Sequence, residues 1–244
     1  MRVIITKNYQ ALSKLAADYV IKQIKKKPNS VLSLATGQTP INFYHELVRA
    51  YKKKQVDFSR VKTFNLDEYI GLAKENKHSY HYYMYNNFFK YVNLKKENVF
   101  FPDGRAKNLE KESRNYELAV KRNGGIDLIV LGIGYDGHLA FNEPGSSFTS
   151  KTRVVKLALS TRQANAKFFN KHLSLVPKKA ITMGLATIRQ AKNILLLAAG
   201  RGKAEIVARA VKCKITKQAP ASILQTHRHV TIILDREAAR KLRN

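Results

Sequence analysis

Short apolar runs alternate with longer amphipathic segments along the whole chain, and this alternation restricts the fold more than any other feature. Runs at 2–6, 30–35, 61–66, 98–101, 127–131, 154–159, 180–184, 193–199 and 230–234 have strand length, while 9–26, 39–51, 79–91, 109–122, 162–171 and 202–213 read as helices. Asp127-Leu-Ile-Val-Leu131 has no polar residue after its first position, the pattern of a strand covered on both faces. Alternating strands and helices predict an α/β fold: a doubly wound, mostly parallel, Rossmann-like sheet with helices on both faces. Thr39 is expected to cap the second helix, with Pro40 at its first position. Asn123-Gly124-Gly125 is expected to stop the 109–122 helix. No repeat, linker or shift of composition divides the 244 residues, so 1–244 reads as a single domain.

On an open sheet of this kind ligands sit beyond the carboxyl ends of the strands. The 127–131 run leads into Gly132-Ile-Gly134-Tyr-Asp136-Gly137-His138-Leu-Ala-Phe141-Asn142-Glu143-Pro144-Gly145. Gly132, Gly134 and Gly137 spell G-x-G-x-x-G, but a dinucleotide site also needs a helix opening at those glycines and an acid at the next strand end. Pro144-Gly145 arrives too early for the helix and 154–159 holds no acid, so no nicotinamide or flavin cofactor is expected. Acid–base work fits these residues better. Asp136 and His138 are two apart and project to one side of an extended segment. Pro144 biases Glu143 towards an extended conformation, and a histidine among carboxylates exchanges protons near neutral pH. The alternative is a structural turn around a hydrogen-bonded histidine.

Three other strand ends carry polar chemistry. Leu34-Ala-Thr36-Gly37-Gln38-Thr39-Pro40 offers free amides and two hydroxyls at a helix start, an arrangement that holds phosphate; taken alone it reads more simply as an ordinary β–α turn. Asn65-Leu-Asp67-Glu68-Tyr69-Ile-Gly71 has two adjacent acids, either a helix cap beside a solvated neighbour or a general base. Gly200-Arg-Gly-Lys203 places a lysine at a helix start, which the helix dipole disfavours unless an anion is bound there. It is not a Walker A loop, since position 197 is Leu and no Ser or Thr follows Lys203. No G-x-S-x-G is present. Without a second histidine at ligand spacing or a cysteine pair, no metal site is expected; His78, His81, His227 and His229 read as structural or surface residues.

With 45 Lys and Arg against 17 Asp and Glu, the formal net charge is +28. No RNP-like motif, zinc-finger spacing or basic tail accompanies it, so the lysines read as solvated faces and not as a specific nucleic-acid site. No apolar run approaches transmembrane length, and the first six residues read as a strand rather than a secretory signal. The single cysteine, Cys213, excludes an internal disulfide and reads as a small packed side chain of an amphipathic helix. A cytoplasmic protein without a membrane partner is expected.

Taken together and in order, these segments resemble the motifs of the glucosamine-6-phosphate deaminase family. The resemblance rests on 34–40, 65–72 and 131–144, and also on Ser160-Thr-Arg-Gln-Ala-Asn-Ala-Lys-Phe-Phe169, Ala180-Ile-Thr-Met-Gly184 and Gly200-Arg-Gly-Lys203, so it spans nearly the whole chain. It implies conversion of glucosamine 6-phosphate and water to fructose 6-phosphate and ammonia, with no redox cofactor and no required metal. By resemblance, Asp67 moves a proton from C2 to C1, His138 handles the proton of ring opening, and Asp136 and Glu143 assist and hold the imidazole. The phosphate is expected on Thr36, Gly37, Gln38, Thr39 and Lys203, with Lys167 near by and 162–169 as a lid. Gln38 stands where many members have a small residue. Val155 replaces a basic residue of the allosteric hexameric members, and the chain stops soon after its last strand; a monomer without allostery is expected. The rival functions are 6-phosphogluconolactonase, which lacks the Phe-Asn-Glu-Pro continuation, deamination of the galactosamine epimer, and a catalytically silent sugar-phosphate sensor.

Overall fold

The apolar runs form the predicted sheet, and the computed structural model describes residues 1–242. In chain order the strands are β1 (Arg2–Thr6), β2 (Val31–Leu34), β3 (Lys62–Asn65), β4 (Asp67–Tyr69), β5 (Val99–Phe100), β6 (Leu128–Leu131), β7 (Arg153–Lys156), β8 (Lys179–Thr182), β9 (Ile194–Ala198) and β10 (Val230–Asp235). The helices are α1 (Tyr9–Lys26), α2 (Ile41–Lys52), α3 (Tyr80–Asn87), α4 (Leu109–Arg122), α5 (Leu159–Asn165), α6 (Leu185–Arg189) and α7 (Ala204–Lys212).

Seven strands pair in the order β1-β10-β9-β6-β2-β3-β5, every pair parallel. Successive residues of a strand point to opposite faces, so each apolar run feeds two cores. Leu128, Val130, Leu195, Leu197 and Ile233 pack with α1, α2 and α3; Ile129, Leu131, Leu196, Ile232 and Leu234 pack with α4, α6 and α7. At about 1.5–3 kcal/mol for each buried aliphatic side chain, these two layers dominate the stability of the molecule.

The sequence reading had no place for a second sheet. β4, β8 and β7 form a separate antiparallel three-stranded unit. The expected 61–66 strand ends at Asn65, and the chain crosses at Leu66, whose carbonyl accepts Met183 N–H at 2.7 Å. A third apolar cluster of Tyr69, Phe141, Leu157, Phe169, Val176 and Ala180 packs this small sheet.

Several boundaries also move. α2 begins at Ile41 after Pro40, with no side-chain cap, so the cap expected from Thr39 does not form. The 79–91 helix breaks at Phe88 into α3 and a 3-10 turn. The strand expected at 154–159 stops at Lys156, and α5 starts at Leu159 and gives way to a 3-10 turn at Ala166. α6 is five residues long, too short to register a period in the sequence. Cys213 lies exposed just past α7 rather than packed within it. α4 keeps the bounds expected of it: Asn108 accepts Lys111 N–H at its start, and Gly124 and Gly125 follow its end at positive φ.

Candidate active site at the carboxyl edge of the sheet

Because the seven strands are parallel, the loops after β2, β3, β6 and β9 leave the same edge. The loop after β2 is shaped by its carbonyls. Tyr44 Oη donates to Ala35 O and Tyr83 Oη to Gly37 O, while Tyr9 Oη lies 3.1 Å from Gln38 O and 2.9 Å from Thr39 O. Among the described residues, nothing accepts the N–H groups of Thr36, Gly37, Gln38 or Thr39. Gly37 has φ +103° with open space where a Cβ would lie, so glycine is needed there for backbone conformation and not for room.

The loop after β3 passes directly into β4, which places Asp67 at the seam of the two sheets. Asp67 is 6% exposed, and none of the described residues donates a hydrogen bond to its carboxyl group. Burial, reinforced by the charge of Glu68, pushes its pKa well above the ordinary carboxylate range. Glu68 is 4% exposed, so neither acid is the solvated one of the sequence reading. Its carboxylate accepts N–H from Tyr69, Tyr80 and His81, the last two in the first turn of α3. Burial raises Glu68 to about 7 despite those three bonds, which pull it down.

After β6 the chain curls tightly. Gly134 N–H donates to His138 O at 2.9 Å, and an added Cβ on Gly134 would come within 2.2 Å of the His138 ring. Gly137 has φ +89°. His138 Nδ1 lies 2.7 Å from Asp136 Oδ1, off the axis of a good hydrogen bond, and His138 N–H also donates to Asp136 Oδ1. Burial raises the Asp136 pKa, but the His138 contacts outweigh it and leave the acid below its usual value. Asp136 therefore faces the imidazole as a carboxylate.

Glu143 does not join that pair through any hydrogen bond among the described residues. Both of its carboxylate oxygens accept Ala158 N–H at 3.0 Å, which ties the stretch to the entry of α5. Asn142 is fully buried: its Nδ2 donates to Leu139 O and Met183 O, and its Oδ1 accepts Arg153 Nη1. Phe141 and Asn142 thus bind the small sheet to the end of β6.

Lys203 caps α7 from the loop after β9, yet its ammonium leans away from the helix. Nζ donates to Ile133 O at 2.7 Å and lies 3.5 Å from the centre of the Tyr135 ring. Burial lowers its pKa to about 8; Asp136 raises it and Lys167 lowers it further. Lys167, in the 3-10 turn after α5, donates to Gln38 Oε1 at 3.0 Å, so the expected lid touches the expected phosphate loop. Asn165 Nδ2 donates to Tyr69 Oη and His78 Nδ1 contacts Phe168 O, which adds two further ties.

Tyr135 and the three loop-holding tyrosines went unassigned in the sequence, while Glu68 takes the helix-cap role that was one of the readings of the acid pair. An acid next to Asp67 was visible, but its partners in α3 were not, and a lone tyrosine in an amphipathic helix has no local mark of a polar role. His227 and His229 lie away from the site, with His227 Nε2 on Ala191 O. Two clefts of about 470 and 590 Å³ open elsewhere, one by the amino ends of β1, β9 and β10 and one beside Lys25, Tyr51 and Asp57. No residue of the site lines either. Among the described residues, no three His, Cys, Asp or Glu side chains gather as metal ligands, and no helix is long and apolar enough to cross a membrane.

Fold and site define the class: an α/β enzyme of the open, doubly wound type, with its polar side chains gathered at the carboxyl edge. The sequence matches the profile of the glucosamine-6-phosphate isomerases/6-phosphogluconolactonases over residues 6–233. It is 54% identical over 239 residues to a glucosamine-6-phosphate deaminase of Thermoanaerobacter sp. (strain X514), covering 98% of this chain and 94% of that one. A glucosamine-6-phosphate deaminase of Clostridium botulinum (strain Kyoto / Type A2) is 51% identical over 242 residues, with 99% of both chains covered. Among solved structures, a monomeric glucosamine-6-phosphate deaminase superposes with a TM-score of 0.96 at 46% identity, over 99% of this chain and 100% of that one. A 6-phosphogluconolactonase from Trypanosoma cruzi superposes at a TM-score of 0.77 with 21% identity over 99% and 96% of the two chains, a likeness of fold alone. The chain belongs to the glucosamine-6-phosphate isomerase/6-phosphogluconolactonase family.

Proposed function

We propose that the protein converts glucosamine 6-phosphate and water into fructose 6-phosphate and ammonia, a step of amino-sugar breakdown. The observation that carries this reading is identity of about half, over nearly full length, to proteins with that activity in their names, in a chain that keeps Asp67, Asp136, His138 and Glu143 at one sheet edge. His138, oriented by the Asp136 carboxylate at 2.7 Å, handles the proton at the ring oxygen and opens the sugar. Asp67 takes the proton from C2 and returns it to C1. The enediol-like intermediate thereby becomes a C2 imine, which adds water and releases ammonia. A carboxylate in a buried seam, with no hydrogen-bond donor among the described residues, is a stronger base than one in water. Glu143 acts through Ala158, holding the start of α5 against the site.

The phosphate is assigned to the Thr36, Gly37, Gln38 and Thr39 amides and hydroxyls and to the ammonium groups of Lys203 and Lys167, which close over it with the α5 segment. A single domain over 1–244 is supported by the pairing of β1 with β10, which joins the two ends of the chain in one sheet. The likeness to a monomeric deaminase supports a monomer, and the phosphorylated substrate supports a cytoplasmic setting.

The test is ammonia release from purified protein with glucosamine 6-phosphate, run beside the galactosamine epimer and 6-phosphogluconolactone. Ammonia from the gluco epimer without added metal is the expected result. Lactone hydrolysis with no ammonia would overturn the assignment, and binding without turnover would make the protein a sensor.

A further inference from the structure

We propose that Tyr9, Tyr83 and Tyr44 are positioning residues that pre-form the phosphate loop by holding its carbonyl oxygens away from the bound anion. This rests on the reading that residues 36–39 take the phosphate. The three tyrosines come from α1, α3 and α2, all on one face of the main sheet. Tyr44 holds the carbonyl of Ala35 and Tyr83 that of Gly37, while the single hydroxyl proton of Tyr9 is shared between the carbonyls of Gln38 and Thr39.

A peptide plane has two ends. A hydrogen bond that fixes the carbonyl on the helix side turns the N–H of the next residue towards the opposite side. The held carbonyls of Ala35, Gly37 and Gln38 thus direct the N–H groups of Thr36, Gln38 and Thr39, none of which finds an acceptor among the described residues; the Thr39 carbonyl precedes Pro40, which has no N–H. A free carbonyl facing a dianion would repel it, whereas an amide attracts it. Left to itself, a glycine-containing loop samples both orientations; the tyrosine bonds select one before the ligand arrives, which lowers the ordering cost of binding. Burial raises the Tyr44 and Tyr83 phenols above their ordinary range, so both remain hydrogen-bond donors through neutral and mildly basic pH. Tyr9 Oη also accepts Asn42 N–H at 3.3 Å, linking the loop to the first turn of α2.

The experiment compares the wild type with Tyr9→Phe, Tyr83→Phe and the double variant. Tyr44 is fully buried and is left intact. Binding of inorganic phosphate is measured by calorimetry, independently of turnover, and kcat and KM are measured with glucosamine 6-phosphate. A net hydrogen bond corresponds to roughly two- to tenfold in an equilibrium constant, so each single variant should weaken phosphate binding and raise KM by about that factor. The double variant should do so by about tenfold or more, with kcat within about twofold of wild type. Unchanged phosphate affinity, or a loss confined to kcat or to thermal stability, would overturn the proposal. Lys203→Ala separates the two levels. If it weakens phosphate binding while the Phe variants do not, only the tyrosine proposal fails. If it leaves phosphate binding intact, the phosphate assignment fails and the tyrosine proposal with it.

Discussion

Asp67 and His138 are both acid–base groups, but their surroundings prepare them differently. The His138 ring occupies the space that a side chain at position 134 would need, beside a carboxylate that stays ionised. Among the described residues Asp67 has neither counter-charge nor donor, and burial followed by repulsion from Glu68 raises its pKa. Replacing it by Asn keeps the shape and removes the base. Asp67→Asn is expected to abolish exchange of the C2 proton with solvent deuterium and cut turnover by about 10²–10⁴-fold, while binding of glucosamine 6-phosphate is largely retained. Retained exchange, followed by NMR, would remove Asp67 from this role. Since the proposed base acts deprotonated, kcat/KM should fall with falling pH along a limb well above the usual carboxylate range. The acids themselves were legible in the sequence as neighbours at a strand end. Their burial was not, because it depends on β8 and α3 closing over them.

At the scale of elements, α3 spans the site. Its first turn is held by Glu68, the neighbour of Asp67, and its Tyr83 holds Gly37 in the loop after β2. A proton on Glu68 therefore bears on more than local charge. Its folded pKa, about 7, is raised from 4.5, so the folded state binds this proton more tightly than the unfolded chain does. The associated stability is fully present below pH about 4.5 and is lost as pH rises towards about 7, on the order of 3 kcal/mol. Denaturant midpoints taken across that window should show the loss, and Glu68→Gln should remove most of it; Asp67, also raised, keeps a residual slope of the same sign. Equal slopes in both proteins would mean that Glu68 stays ionised throughout. The helix was foreseen at 79–91, and its N-terminal acid was visible eleven residues upstream of Ser79 in the loop after β3, but nothing local links the two.

For the whole molecule, the proposed monomer predicts one sedimenting species near the chain mass of 27.8 kDa, unchanged by substrate or by an N-acetylated sugar phosphate; a hexamer in either condition would contradict it. The net charge of +28 gives a general attraction for anions, and on such a chain any cleft is expected to be cationic, so the basic lining by the amino ends of β1, β9 and β10 does not single out a ligand. The α/β class, the parallel main sheet and the loops proposed to carry its chemistry were determined by the sequence alone, because strand and helix periods, glycine turns and strand-end acids are short-range properties of neighbouring residues. Only the tertiary structure decided the second sheet, the burial of Asp67 and Glu68, the partner of Glu143, and the grip of three tyrosines on one loop. These depend on contacts such as Tyr83 to Gly37 and Lys167 to Gln38, which join residues 46 and 129 positions apart; no local pattern records such contacts, since they exist only once the helices have packed onto the sheet.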